Sequence, residues 1–120
     1  GGTRCAAITG AWVALRLALE KLVRAGTLAT VPLKGQIAAV SCGLTDEGAV
    51  LDLDYAEDST ACTDSNFVLT LDGGIVEIQA TAEQDPFTED QFNTLLRLAR
   101  TGTAELFRIQ TATVEEALKA

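Results

Sequence analysis

An α+β fold is predicted for this chain: one helix, a four-stranded and mostly antiparallel sheet, and two C-terminal helices. Three observations carry the prediction. A segment from about Cys5 to Ala25 repeats apolar residues at helical spacing. Two pairs of short apolar runs each meet at a turn signal, Asp46-Glu47-Gly48 and Asp72-Gly73-Gly74. Thr88 followed by Gln91 forms a capping box ahead of a second helical stripe. The connections are short and no repeat or low-complexity linker interrupts them. A length of 120 residues, 48% apolar and 22% charged, suits one unit rather than two.

In the first segment Ile8, Trp12, Leu15, Leu19, Leu22 and Val23 fall near the i, i+4, i+7 spacing of one helix face. Val13, Ala14, Leu17 and Ala18 make the other side apolar too, so this helix is expected inside the fold, buried on most sides. Trp12 then belongs to the core rather than to a base-stacking platform. Lys21 and Arg24 suit the negative end of the helix dipole, and Gly26 can take the left-handed conformation just past it. Gln36 to Leu44 is short and apolar and reads as a strand. Ala49 to Tyr55 alternates Leu51 and Leu53 with Asp52 and Asp54, which suits a hairpin partner with one wet face. Asn66 to Leu71 and Ile75 to Ala80 read as a second hairpin, the glycine pair Gly73-Gly74 supplying positive φ. Phe92, Leu95, Leu96 and Ala99 continue the stripe after the capping box. That helix is expected to stop before Gly102, with another running from about Ala104 to the C-terminal end.

Composition removes several chemistries. With no histidine in the chain, Ser/His/Asp and Cys/His catalysis and the usual zinc sites lack their base or ligand. Cys5, Cys42 and Cys62 are odd in number and show no C-x-x-C spacing, so reduced, mostly buried thiols are expected. The apolar stretches are broken by Arg16, Glu20, Lys21 or glycine before the roughly 20 residues a bilayer crossing needs. No membrane span or secretory signal is expected, and the expected location is cytoplasmic. The chain contains no methionine and opens on Gly1, which predicts a piece of a longer protein. The net charge is -8, yet its distribution is uneven. No basic residue lies between Lys34 and Arg97, whereas all of the acids except Glu20, Glu105, Glu115 and Glu116 lie there. Such a middle suits a solvated face, a cation site or the complement of a basic segment.

Two places offer chemistry. Gly1 to Arg4 (GGTR) precedes the first helix, where unpaired N–H groups and the dipole favour an anion. Glycine permits close approach, Thr3 can cap or donate its hydroxyl, and Arg4 offers a two-pronged donor suited to phosphate. An ordinary helix cap would use the same residues. The loop Ala56 to Asn66 holds Glu57, Asp58 and Asp64, with Asp52 and Asp54 just before it. Two aspartates brought together there suit Mg²⁺, which takes one or two carboxylates with phosphate oxygens and water, although a solvated acidic turn has the same composition. Cys5 lacks a nearby base, and Ala11 stands where a C-x-x-x-x-x-R phosphate loop needs arginine, so Cys5 is expected to be a small buried residue.

Five separated blocks, GGTRCAAITGAWVAL, PLKGQIAAVSCGL, LDLDYAEDSTACTDSN, LTLDGGIVEIQATAE and PFTEDQFNTLLRLAR, resemble the ribonuclease PH family in family order along the whole chain. The resemblance implies half of a ribonuclease PH type core, of the ribosomal protein S5 domain 2-like kind. It also implies a phosphorolytic 3′-to-5′ exoribonuclease that trims tRNA precursors and releases nucleoside diphosphates. On it, Gly2, Thr3 and Arg4 correspond to the phosphate-holding triplet. Asp58 and Asp64 correspond to paired aspartates that bind Mg²⁺ or assist proton transfer. The family domain is about twice this length, so residues 1–120 are expected to form a single unit, the C-terminal part of a domain whose N-terminal half carries a second phosphate-binding arginine. Implied partners are RNA, that N-terminal half and, for the intact protein, further copies in a hexameric ring. A noncatalytic RNA-binding or ring-forming subunit of the same fold, or a fragment inactive without its N-terminal half, is the alternative.

Overall fold

The computed structural model describes residues 2–45, 48–51, 63–83 and 85–119. Helix α1 spans Thr3–Arg24, followed by strands β1 (Ile37–Thr45), β2 (Gly48–Leu51), β3 (Thr63–Thr70) and β4 (Ile75–Ala82), and helix α2 (Glu89–Leu118). The four strands form one antiparallel sheet in the order β2-β1-β3-β4. No helix among the described residues is long and apolar enough to cross a membrane.

Strand alternation separates the two faces of the sheet. Val40 and Cys42 on β1 and Phe67 and Leu69 on β3 face α2, where they form the main core with Leu95 and Ala99. The intervening residues face α1: Ala39 and Val68, opposite each other in register, pack with Cys5, Ile8 and Ile37. Thus α1 covers one face and α2 the other. Where β2 ends, both helices reach the outer edge of β1. Thr9 Oγ1 accepts the Ala39 N–H at 3.1 Å, and Gln110 Nε2 donates to the carbonyls of Ile37 at 2.9 Å and Thr9 at 3.0 Å. Gln36 Nε2 completes the cluster by donating to Gln110 Oε1 at 2.7 Å and the Phe107 carbonyl at 3.1 Å. At the far end of the pair, Arg24 Nη2 donates to the Leu118 carbonyl at 2.8 Å, a cation placed on the negative end of α2.

Several expectations need correction. The two C-terminal helices are one 30-residue helix, opened by the capping box of Thr88 and Gln91. Gly102 does not end it; the residue is buried, and a Cβ there would lie 2.9 Å from the Leu51 methyls and 3.4 Å from Val40. Glycine serves close packing there, not termination. Helix α1 is less buried than expected: Cys5 is its one buried residue, Trp12 is half-buried with Nε1 donating to the Gly35 carbonyl, and Leu15 and Leu22 are exposed. Cys42 is buried as expected, whereas Cys62 lies outside the described residues. The same holds for Asp46 and Glu47 of the first turn and for the second strand beyond Leu51.

In the second hairpin only Gly73 takes positive φ, at 94°. The Gly73 N–H donates to the Thr70 carbonyl at 3.2 Å, giving a three-residue loop closed by a left-handed glycine. Gly74 has a different task, since a Cβ on it would lie 2.7 Å from Thr70 Oγ1, which accepts its N–H. The Thr70 hydroxyl donates to Asp72, and this bond, followed by the Gly74 N–H, holds the Asp72 carboxyl below its ordinary value.

Gln110→Leu should cost about 1–3 kcal/mol for each polar group it leaves unpaired, read from urea denaturation. For Asp72, a lowered folded pKa means its stabilisation is present above the ordinary value of 3.8 and is lost as pH falls through the folded value. The stability difference between wild type and Asp72→Asn, followed by denaturation against pH, should therefore shrink below about pH 3.8.

Candidate active site

Helix α1 begins abruptly. Gly2, at φ 82° and ψ 37°, is its N-cap and provides no side-chain hydrogen bond, and no acidic residue lies in the first turn. Thr3 is the first helical residue rather than the cap. The leading N–H groups of a helix have no acceptor within it, and Gly2, having no side chain, gives the positive end of α1 no side-chain cap. The left-handed turn at Gly2 is open to glycine at little cost, whereas an L side chain there costs roughly 1–2 kcal/mol. The Gly2 carbonyl starts the helical ladder by accepting the Ala6 N–H at 2.8 Å.

Contacts from the first turn hold this helix head against the sheet. Cys5 is 4% exposed, packs on Ala39 and Val68, and donates its thiol to Asn66 Oδ1 at 3.4 Å. Arg4 Nη2 donates to Glu77 Oε1 on β4 and forms an ion pair with it. The strand register explains why both partners are available, since Asn66 lies two residues before Val68 and Glu77 pairs with Val68. The Arg4 guanidinium is held above its ordinary pKa, first by that hydrogen bond and then by the charge of Glu77.

Asp64 shares the α1 face, two residues or about 7 Å along β3 from Asn66. It pairs with Gly43 on β1 and Thr81 on β4 and is half-buried. This corrects the expectation of a loop through Asn66: β3 begins at Thr63, so the sheet itself orients Asp64. Asp58, with Asp52, Asp54 and Glu57, lies outside the described residues. Among the described residues no group of three or more His, Cys, Asp or Glu is arranged to hold a metal ion. Around Asp64 the register places Ser41, Asn66, Gln79 and Thr81 on the same face. A carboxylate among hydroxyl and amide oxygens is hard-oxygen chemistry of the type Mg²⁺ takes.

The structure therefore gathers Gly2, Thr3 and Arg4 and, on the same side of the sheet, Asp64. Sequence inspection missed Glu77 and Asn66. The signal for Glu77 was present in the alternation of Glu77, Gln79 and Thr81 along β4, which marks one polar face. Nothing local says that this face lies beside α1.

Comparison with known proteins agrees with this architecture. Residues 35–102 match the model of the 3′ exoribonuclease family, domain 2. The chain is 62% identical to Ribonuclease PH of Rhodospirillum rubrum over 112 residues, covering 93% of this chain and 47% of that protein. It is 60% identical to Ribonuclease PH of Caulobacter vibrioides over 114 residues, covering 95% and 48% respectively. It thus spans about half the length of the curated relatives it matches. In fold it is similar to the crystal structure of rice (Oryza sativa) Rrp46, with a TM-score of 0.62 at 18% identity over 85% of this chain and 46% of that one.

Gly2→Ala should loosen the first turn of α1. Amide exchange at Ala6 should quicken by roughly tenfold, the size expected from the strain of a left-handed alanine, while exchange at the β1–β3 pairs should be unchanged.

Proposed function

The chain belongs to the 3′ exoribonuclease family, and on that premise we propose that it works as the C-terminal half of a ribonuclease PH type enzyme. Such an enzyme is a phosphorolytic 3′-to-5′ exoribonuclease that trims tRNA precursors with inorganic phosphate. The observation that carries this proposal is the placement of an uncapped helix head and Arg4 on the same sheet face as Asp64.

In the reaction an oxygen of inorganic phosphate attacks the phosphorus of the last phosphodiester. The new P–O bond forms as the bond to the 3′-oxygen of the preceding nucleotide breaks. That oxygen takes up a proton, and the terminal nucleotide departs as its 5′-diphosphate. The backbone N–H groups at the head of α1, the Thr3 hydroxyl and the Arg4 guanidinium hold the attacking phosphate and orient it in line. Asp64, together with Asp58, would hold Mg²⁺, which when bound offsets charge on the nonbridging and leaving oxygens. Asp64 alternatively assists the proton transfer to the leaving oxygen.

The large apolar side chains left exposed on the helices support the half-domain proposal. Leu15 and Leu22 on α1 and Ile109 on α2 are 48%, 41% and 51% exposed, a surface that an N-terminal half would cover. Assembly of the intact protein into a hexameric ring and a cytoplasmic location belong to the same proposal.

Nucleoside diphosphate release from a 3′-extended tRNA with Mg²⁺ should require phosphate, whether seen with this chain alone or after adding the N-terminal half. Arg4→Ala should raise the phosphate KM about 10- to 100-fold, as loss of a charge-assisted hydrogen bond does. Asp64→Asn should abolish turnover with RNA binding kept. Absence of release with the two halves associated would instead indicate a noncatalytic RNA-binding or ring-forming subunit.

A further inference from the structure

The geometry points to Glu77 as the positioning residue for Arg4, anchoring the guanidinium from β4 so that its remaining donors face the anion at the head of α1. The assignment rests on Arg4 being a phosphate ligand, as proposed above. Arg4 and Glu77 are 73 residues apart in the chain, and their side chains, 51% and 45% exposed, meet across the rim of the sheet. Glu77 is brought there by its pairing with Val68, whose side chain packs on Cys5, the residue after Arg4. One carboxylate therefore reports the position of the helix head relative to the sheet.

An arginine in the exposed first turn of a helix has many rotamers, and most of them carry its charge away from the helix terminus into water. Ordering such a side chain on binding costs affinity, and a ligand group that is already ordered avoids that cost. The bond to Glu77 uses one N–H of Nη2. A guanidinium has five N–H donors in a fixed fork, so Nε and Nη1 stay available to a phosphate oxygen. Glu77 also carries a negative charge close to the anion. Its charge is matched by the arginine it holds, and across an exposed surface the residual repulsion is screened by water and salt. Ordering is therefore the larger effect, and Glu77 strengthens phosphate binding rather than competing with it.

The side-chain oxygen, not the full charge, is what the anchor needs, because Gln at position 77 retains an acceptor of the same reach. The test is steady-state phosphorolysis by the full-length protein, with inorganic phosphate and RNA varied separately. Glu77→Ala should raise the phosphate KM about three- to fivefold, the scale of an exposed ion pair, while kcat at saturating phosphate and the RNA KM stay at wild-type values. Glu77→Gln should restore most of the phosphate KM. In the Arg4→Ala background, Glu77→Ala should add nothing, because the anchor then has no load. A phosphate KM that is unchanged or lowered in Glu77→Ala overturns the positioning role, the lowered value indicating competition with phosphate. Equal changes in both KM values, or an additive double variant, also overturn it. If Arg4→Ala itself leaves the phosphate KM unchanged, the phosphate-ligand assignment fails instead, so the two failures are distinguishable.

Discussion

The rest of the structure depends on how the outer edge of β1 is satisfied. Among the described residues β2 pairs with Cys42–Thr45. Nearer the start of β1, the backbone groups of Ile37 and Ala39 that turn away from β3 are taken by Gln110 and Thr9. Buried backbone donors and acceptors must find partners, and leaving them unpaired costs more than most single apolar contacts contribute. A polar side chain from each helix therefore stands where a strand would otherwise run. Apolar packing alone is non-directional and would let a helix slide along the sheet. The hydroxyl of Thr9 and the amide of Gln110 remove that freedom, because they meet particular carbonyl and N–H groups at 2.9–3.1 Å.

This constraint sets the location of the helix head. With Thr9 fixed at the edge of β1, the preceding turn lies over Ala39 and Val68, and Cys5 closes that contact. Arg4 then falls at the rim, beside β4 and the polar end of β3, while Gly2 lines the cleft between α1 and α2 with Ala39 and Leu51. Alternation in β3 does the rest. Phe67 and Leu69 enter the core under α2, whereas Asp64 and Asn66 emerge under the start of α1. A shift of one residue in register would exchange the two sets and place a carboxylate in the apolar core.

The length of α2 links the two regions. Leu95 and Ala99 belong to the main core, and Phe107 and Gln110 to the edge cluster, so one continuous helix connects them. Gly102 lies between, where a Cβ would lie 2.9 Å from the Leu51 methyls. An interruption at that point would separate the core from the groups that fix α1. The uninterrupted helix makes the placement of the site a consequence of core packing.

The sequence by itself determined the class of fold, the two hairpins, the capping box at Thr88 and the candidate residues at the head of α1. These features are local: periodicity, turn glycines and caps act within a few residues, so a linear pattern records them. Gly102 shows the limit, since glycine suits both a helix end and a close approach, and only Leu51 and Val40 in contact distinguish the two. The depth of α1 was overread for a similar reason. Its apolar residues surround the axis, yet which of them are covered depends on the elements packed against them, and here Leu15 and Leu22 are not. Asp64 was visible as a carboxylate, but its orientation came from a strand that begins at Thr63. Tertiary structure alone decided that Glu77 meets Arg4, that Asn66 meets Cys5, and that Thr9 and Gln110 complete the edge of β1. Each pairing joins residues more than 25 positions apart through one or two hydrogen bonds. Such a bond leaves no periodic trace in the chain, because its partners are brought together by strand register and helix packing.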